Sequence, residues 1–319
     1  MDNLRVFGPV PSRRLGRSLG INNIPPKICS YSCVYCQLGR SLSMVNQREE
    51  YYDPEELGKE VLRITQTLTQ KNEKIDYLTI VPDGEPTLDL NLGRLIDNLK
   101  TSGVKIAVIT NSTLIEDPGV RQDLAKADLI SIKVDAVDQE TWKKIDRPHG
   151  RLDLENILGG IKIFARDFRG KLLTETMLVQ NINDDQENSQ KTAAFLASIN
   201  PDSSYLSIPT RPPAENWVSP PTPENLNNAF QIFHQAGLNV EYLIGYEGNE
   251  FAFTGNVEQD LLSITSVHPM REDAVVDFLH RAESDMDIVE KMLLEGSLVT
   301  SEYQDKRFYL RNLNKKTQE

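Results

Sequence analysis

Cys29, Cys33 and Cys36 are all the cysteines of this chain, and they sit in one eight-residue stretch, Cys29-Ser-Tyr-Ser-Cys33-Val-Tyr-Cys36. Ordinary buried thiols scatter through a core. Three thiolates this close can hold one metal centre and leave a coordination position open, which is a place to do chemistry. One candidate occupant is zinc, with His149, His234, His268 or His280 as a fourth ligand. Zinc knots usually space their cysteines as paired C-x2-4-C units, and no second pair exists here. The other candidate is an iron–sulfur cluster with three protein thiolates and one free iron. An odd number of close cysteines is a poor disulfide framework and suits a reducing compartment, so a cytoplasmic location is expected.

Other polar residues follow short apolar runs. Asp83-Gly84-Glu85-Pro86 comes after the run at 75–81; read plainly, it is a turn made of turn-formers. Thr110-Asn111-Ser112 follows the run at 104–109. Ser131, Lys133 and Asp135 alternate, so they share one strand face. Polar groups on a face turned into a core need partners or a ligand, and a Lys133–Asp135 ion pair would be the structural answer. Asn181-Ile-Asn183-Asp184-Asp185 and Pro209-Thr210-Arg211-Pro212-Pro213 follow two later runs. Asn183 and Arg211 could touch substrate there, or belong to plain polar loops.

The elements that must position these residues alternate along the chain. Strands are expected at 17–22, 75–81, 104–109, 129–134, 172–179 and 205–208. Helices are expected from Asp53-Pro54-Glu55-Glu56 onward and at 88–100, 120–126, 139–145, 154–168, 187–198 and 224–236. Six βα units are too few for a closed eight-stranded barrel and suit an open, partial one, with ligands at the C-terminal ends of the strands. Six of the chain's 17 prolines fall in 209–223, so that stretch is a stiff extended loop. The pattern changes after about residue 256. Helices at 271–281 and 285–294 and a hairpin around Gln304-Asp305 suggest a small winged-helix-like domain over 257–319, after a first domain of 1–256. The tail after 313 is expected to fray.

The C-x3-C-x2-C loop, with aromatic Tyr35 before its last cysteine, resembles the signature loop of the radical S-adenosylmethionine (radical SAM) enzymes. Asp83-Gly84-Glu85-Pro86 resembles that family's "GGE" element, with Asp83 in place of the first glycine. The resemblance implies a partial (βα)6 TIM-like barrel and a [4Fe–4S] cluster on the three cysteines. It also implies S-adenosylmethionine on the free iron, cleaved reductively to a 5′-deoxyadenosyl radical that abstracts hydrogen from a substrate. By resemblance Tyr35, Asp83, Gly84, Glu85, Pro86, Asn111, Ser131, Lys133 and Asp135 are cofactor-binding candidates. The stretch Pro9–Arg17, the element Gly-Tyr-Glu-Gly at 245–248 and Thr265-Ser-Val-His268-Pro-Met-Arg271-Glu272 resemble a branch of iron–sulfur oxidoreductases related to the tRNA wybutosine-synthesis enzyme. That enzyme carries extra cysteines for a second cluster, which this chain lacks, so its condensation chemistry does not transfer.

The net charge of −12 is unevenly spread. Residues 1–48 hold seven Lys/Arg against Asp2 alone, a net of +6. Either the acidic remainder neutralises this charge, or it forms an electropositive mouth beside the cysteines. On the second reading Arg13, Arg14 and Arg17 could meet an anionic substrate group or the cofactor carboxylate. A flavodoxin- or ferredoxin-type electron donor is implied by the chemistry, and a basic surface would steer an acidic donor. Residues 257–319 hold 8 Lys/Arg and 13 Asp/Glu, a net of −5 that repels phosphates. Peptide or protein docking suits that domain better than nucleic acid. No apolar run reaches the roughly 20 residues of a membrane-spanning helix, and the first residues lack the pattern of a secretory signal. The alternative function is a metal or iron–sulfur sensor acting through its C-terminal domain without catalysis.

Overall fold

The structure, a computed structural model, describes residues 5–244, 251, 255–267 and 269–312. The element at 245–248, His268, the first four residues and the tail from 313 lie outside them.

β1 (Val6–Ser12) turns back through Arg13–Leu15 into β2 (Gly16–Ile21). The cysteine loop follows, bracketed by the two-residue strands β3 (Ile28–Cys29) and β4 (Ser43–Met44). Helix α1 (Pro54–Gln70) starts where Asp53 accepts from the Glu55 and Glu56 amides, both at 2.9 Å. It buries Leu57, Val61 and Leu68, spaced as one helix face. Strand and helix then alternate. β5 (Tyr77–Ile80) leads to α2 (Leu92–Leu99), β6 (Lys105–Thr110) to α3 (Pro118–Leu124), and β7 (Leu129–Lys133) to α4 (Gln139–Ile145) and α5 (Leu154–Asp167). β8 (Lys171–Met177) leads to α6 (Gln186–Ile199), β9 (Ser203–Ser207) to α7 (Pro223–Gln235), and β10 (Val240–Leu243) ends the series.

These strands form one sheet in the order β1-β2-β5-β6-β7-β8-β9-β10. Every neighbouring pair is parallel except β1–β2. The six expected βα units are present, curled into a partial barrel. Two edge strands were not anticipated. β1 contains Pro9 and Pro11, which are tolerated on an edge strand, where an N–H can be spared. The helix expected at 88–100 starts late. Pro86–Leu88 is a single 3₁₀ turn, and the Asp89 carboxylate accepts from the Asn91 amide at 2.9 Å before α2 begins.

The floor of the barrel is closed by Leu15 from the β1–β2 turn, packed with Ala107, Leu129, Leu173 and Tyr205. The C-terminal elements are α8 (Val257–Val267), β11 (Met270–Arg271), α9 (Glu272–Arg281), α10 (Asp287–Leu294), β12 (Leu298–Tyr303) and β13 (Lys306–Arg311). They have a core of their own, around Phe278, Leu279, Val289 and Met292. This unit also grips the sheet. Val10 of β1 packs on its core, and Ser263 donates to the Val6 carbonyl at 3.2 Å. At the hairpin tip, the Tyr303 hydroxyl donates to the Pro209 carbonyl at 3.0 Å. Because β1 is one edge of the sheet and Pro209 follows β9, the unit reaches across the open side of the half-barrel.

Candidate active site

The cysteine loop lies over the C-terminal ends of β5, β6 and β7 and is tied down from three sides. Ser32 and Val34 donate backbone bonds to the Asp146 and Ile145 carbonyls at the end of α4, at 3.0 and 2.9 Å. The Trp142 indole donates to the Tyr31 hydroxyl at 2.7 Å. From the proline-rich loop, the Glu215 amide donates to the Val34 carbonyl at 3.1 Å. The Glu215 carboxylate then takes Arg40 at 2.8 Å and Arg147 at 2.5 Å, which holds its pKa below the usual range.

The Asp83–Pro86 turn packs directly under β3. The Glu85 amide donates to the Ile28 carbonyl at 3.2 Å. A Cβ on Gly84 would stand 2.0 Å from that same carbonyl oxygen, so only glycine lets the two backbones approach. The Glu85 side chain is buried and saturated. It accepts from Thr87 N and Oγ1, from Thr110 Oγ1 and from the Asn111 amide, all within 3.0 Å. Glu85 thus sews the end of β5 to the end of β6. Asn111 is thereby placed with its Nδ2 3.0 Å from Ser30 Oγ and 3.6 Å from Cys29 Sγ.

A second set of polar groups runs down the barrel interior. Arg14 enters from the floor, donating to Ser131 Oγ at 3.2 Å and pairing with Glu175 on β8. Glu175 also meets Lys133 at 3.3 Å and Ser207 Oγ at 3.0 Å. Lys133 lies 4.0 Å from Asp135 and 4.8 Å from the centre of the Tyr35 ring. The Tyr35 hydroxyl donates to Asp135, and Cys33 Sγ lies 3.3 Å from Asp146 Oδ1. A continuous line of charge and hydrogen bonds therefore leads from the barrel floor to the second cysteine.

Burial alone would push Glu175 up and Lys133 down, but each is outweighed by its partners. Arg14 and Lys133 bring Glu175 down to about 2, while Asp135 and Glu175 hold Lys133 above its ordinary value. Asp146 is pushed well above the carboxylate range by burial and by the adjacent Asp135. The thiols are raised mainly by burial, Cys29 to about 12 with Glu85 adding to the shift.

Most residues expected at the site are brought together: the three cysteines, Tyr35, Asp83 to Pro86, Asn111, Ser131, Lys133 and Asp135. Arg14 joins them from below, and Arg211 reaches the cysteine loop by donating to Gln37 Oε1 at 2.7 Å. Two others are placed elsewhere, and a third is spent on holding a loop. Arg17 sits at the N-terminal end of β2, pairing with Glu73 at 2.5 Å. Arg13 is exposed in the floor turn. Asn183 spends its amide on the Asp135 and Met177 carbonyls, each at 2.8 Å, and so staples the loop after β8.

The basic segment is largely neutralised inside the fold: Arg5 with Glu60, Arg14 with Glu175, Arg17 with Glu73, Arg40 with Glu215 and Arg48 with Asp123. Of the two readings of that charge, neutralisation is what the packing shows. Sequence reasoning missed Lys27, Asp146, Glu175 and Glu215. Only Glu175 left a signal, a carboxylate between Thr174 and Thr176 within the strand run Leu172–Met177.

The donor set fits an iron–sulfur cluster. Three half-buried thiols share one loop, and among the described residues no three Cys, His, Asp or Glu side chains converge on a single ion. A multinuclear cluster takes one thiolate per iron and does not require such convergence. Of the histidines weighed as a fourth zinc ligand, His149 lies beside the loop, its amide donating to the Ser30 carbonyl at 2.9 Å while its Nδ1 accepts from the Arg151 amide at 3.3 Å. His234 stacks on Phe230 within α7, His280 lies in α9, and His268 is outside the described residues.

Residues 23–193 match the sequence model of the radical SAM superfamily. The chain is 48% identical over 310 residues to a UPF0026 protein of Methanocaldococcus jannaschii, covering 97% of this chain and 96% of that one. Among solved structures, a radical SAM methyltransferase from Sphaerobacter thermophilus superposes with a TM-score of 0.54 at 14% identity, covering 71% of this chain and 66% of that one. Streptococcus suis SuiB bound to S-adenosylmethionine superposes at 0.52 and 16%, covering 70% and 49%. TYW1 with a lysine-pyruvate adduct aligns over 94% of this chain and 82% of that one, at 0.45 and 14% identity. The superfamily uses a [4Fe–4S] cluster and S-adenosylmethionine. With its sequence match, its partial barrel and its three-cysteine loop above the strand ends, the chain belongs to the radical SAM superfamily.

Proposed function

We propose that this chain is an enzyme in which Cys29, Cys33 and Cys36 hold a [4Fe–4S] cluster that cleaves S-adenosylmethionine reductively and so starts hydrogen abstraction from a substrate. The observation that carries this reading is the three-thiol loop packed on the Asp83–Pro86 turn, both at the C-terminal ends of parallel strands. When bound, the cluster and S-adenosylmethionine supply one electron to a sulfonium and a 5′-deoxyadenosyl radical.

The chain's own groups position these cofactors and exclude water. Glu85, spent on four donors, orders the turn and the Asn111 backbone. Tyr35 and Lys133 present a ring and a charge above the barrel mouth. Asp146 Oδ1 lies 3.3 Å from Cys33 Sγ and ties that side of the loop to the end of α4. Of Ser131, Lys133 and Asp135, only Lys133 keeps part of its side chain exposed, and it is the one that could meet a cofactor carboxylate.

An electron donor of the flavodoxin or ferredoxin kind completes the reaction. The C-terminal unit from 257 onward, read as a winged-helix-like domain, offers a platform for a peptide or protein substrate. Its helix α10 carries Asp287 and Glu290, which argues against nucleic acid. A cytoplasmic location is part of this reading; among the described residues no helix is long and apolar enough to cross a membrane. The test is anaerobic reconstitution, reduction with dithionite and addition of S-adenosylmethionine. About four iron and four sulfide per chain, with 5′-deoxyadenosine formed, is the expected result. A bound metal without cleavage would move the assignment to a sensor.

A further inference from the structure

Lys27 belongs to no motif in this chain, yet its ammonium is built into the base of the cysteine loop. Its backbone adopts a positive φ of 66°, an uncommon setting for a residue that carries a side chain. Bonds on both sides hold it there: its amide donates to the Asp83 carbonyl at 2.7 Å, and its carbonyl accepts from Leu42 and Ser43, each at 3.1 Å. The side chain is only 8% exposed, and among the described residues Nζ finds no hydrogen-bond acceptor. The opposite charge beside it, Asp83 Oδ1, stands at 3.9 Å, beyond hydrogen-bond reach. On its other side Nζ lies 3.6 Å from where a Cβ of Gly39 would stand, and the Gly39 amide donates to the Cys36 carbonyl at 3.0 Å. The ammonium is therefore tucked against the turn that follows the third cysteine. Burial raises the Cys36 thiol, and Lys27 is among the charges that act against that rise.

A buried ammonium with three N–H donors and no acceptor is costly unless something answers it. Asp83 offsets the charge but takes none of the donors. Sulfur of an iron–sulfur cluster can accept, and hydrogen bonds to the sulfurs and nearby charge are what set a cluster's potential. Resting on the cluster reading above, we propose that the Lys27 ammonium donates to cluster sulfur on the Cys36 side, the Cys36 thiolate or the sulfide next to it, and so makes the cluster easier to reduce. Reduction adds one electron, supplied by the external donor, and one negative charge to the cluster. A fixed cation with a hydrogen bond to sulfur favours the more negative state. Lys27 therefore acts on the electron-accepting step and not on the substrate.

The test is the midpoint potential of the anaerobically reconstituted full chain, without S-adenosylmethionine, titrated and followed by electron paramagnetic resonance. Lys27→Met moves the midpoint more negative by about 59 mV or more, a tenfold or larger loss in the one-electron reduction constant. Lys27→Arg, which keeps the charge and the donors, recovers most of that shift. Asp83→Asn separates the two charges: in that background Lys27→Met still moves the midpoint negative. A readout that needs no loss of charge comes from protein grown on nitrogen-isotope-labelled lysine. The reduced wild-type cluster shows a weak magnetic coupling to a lysine nitrogen, and Lys27→Arg removes it. Iron and sulfide content identifies any variant that has lost its cluster; where Lys27→Met is one, Lys27→Gln and the labelled wild type carry the comparison. An unchanged midpoint overturns the proposal, and so does a wild-type cluster with no lysine coupling. A shift that vanishes in the Asp83→Asn background also overturns it, because Lys27 would then serve only as the counter-ion of Asp83. If the wild type loads no [4Fe–4S] cluster, the cluster reading itself fails; a loaded cluster whose midpoint ignores Lys27 leaves that reading standing and sinks the role of Lys27 alone.

Discussion

Two sides of the cysteine loop are built in opposite ways. On the Cys33 side, Arg14, Glu175, Lys133, Asp135, Tyr35 and Asp146 form a line in which each charge meets a partner. On the Asp83 side, Lys27 and Asp83 are equally buried but stand 3.9 Å apart with atoms unanswered. In the first region every charge has an opposite charge or a hydrogen-bond donor within reach, although Arg14 Nε is buried without a hydrogen bond. In the second the two charges stay beyond hydrogen-bond distance of one another.

Removing the metal-binding role itself should have the largest effect. Cys33→Ala should abolish 5′-deoxyadenosine formation and lower bound iron, read by product analysis and iron assay. Normal product from this variant would remove the loop from the chemistry.

The closed flank should show its worth as stability. Glu175→Ala leaves Arg14 and Lys133 buried without their shared carboxylate and should cost about 3–5 kcal/mol in urea unfolding of the cluster-free protein. The pH dependence has a definite sign. Because Glu175 is depressed to about 2 in the folded chain, its contribution is present above its ordinary value of 4.5 and is lost as pH falls toward 2. The wild type should lose stability over that window more steeply than Glu175→Gln, and parallel curves would contradict the assignment.

Two smaller changes probe how the flanks meet the loop. Gly84→Ala places a methyl against the Ile28 carbonyl and should cost about 1–3 kcal/mol, with loosened cluster binding seen as faster iron loss to a chelator. Tyr35→Phe removes a donor from the buried Asp135 and should cost about 1.5–3 kcal/mol, measurable by the same denaturation. The smallest effect belongs to Arg17→Met. Its pair with Glu73 is partly solvated at the far end of the strands, so the loss should stay below about 1 kcal/mol, with S-adenosylmethionine binding unchanged. A strong binding defect there would mean that the two ends of the barrel are coupled.

Much of this arrangement was legible in the residues. The spacing of Cys29, Cys33 and Cys36 is local, so it reads directly as a metal loop. The βα alternation is a periodic signal, and the alternate placement of Ser131, Lys133 and Asp135 follows from the two-residue repeat of a strand. The edge strand β1 was hidden because its prolines are tolerated only by a neighbour on one side. Arg17 and Arg14 look alike three positions apart, but a tight turn separates them. Arg14 projects into the barrel beside Glu175, while Arg17 stays on the floor's rim with Glu73.

The sequence by itself determined the three-cysteine loop, the order of six βα units and the residues that end each strand, because those depend on neighbours within a few positions along the chain. Only the tertiary structure decided which charges meet. Glu175 is 161 residues from Arg14, Asp83 is 56 from Lys27, and Glu215 is 175 from Arg40. Such pairings depend on how the sheet curls and where the loops cross above it. The same geometry decided which pair closed on itself and which was left open, since a shift of about one ångström separates a hydrogen-bonded ion pair from two unanswered charges.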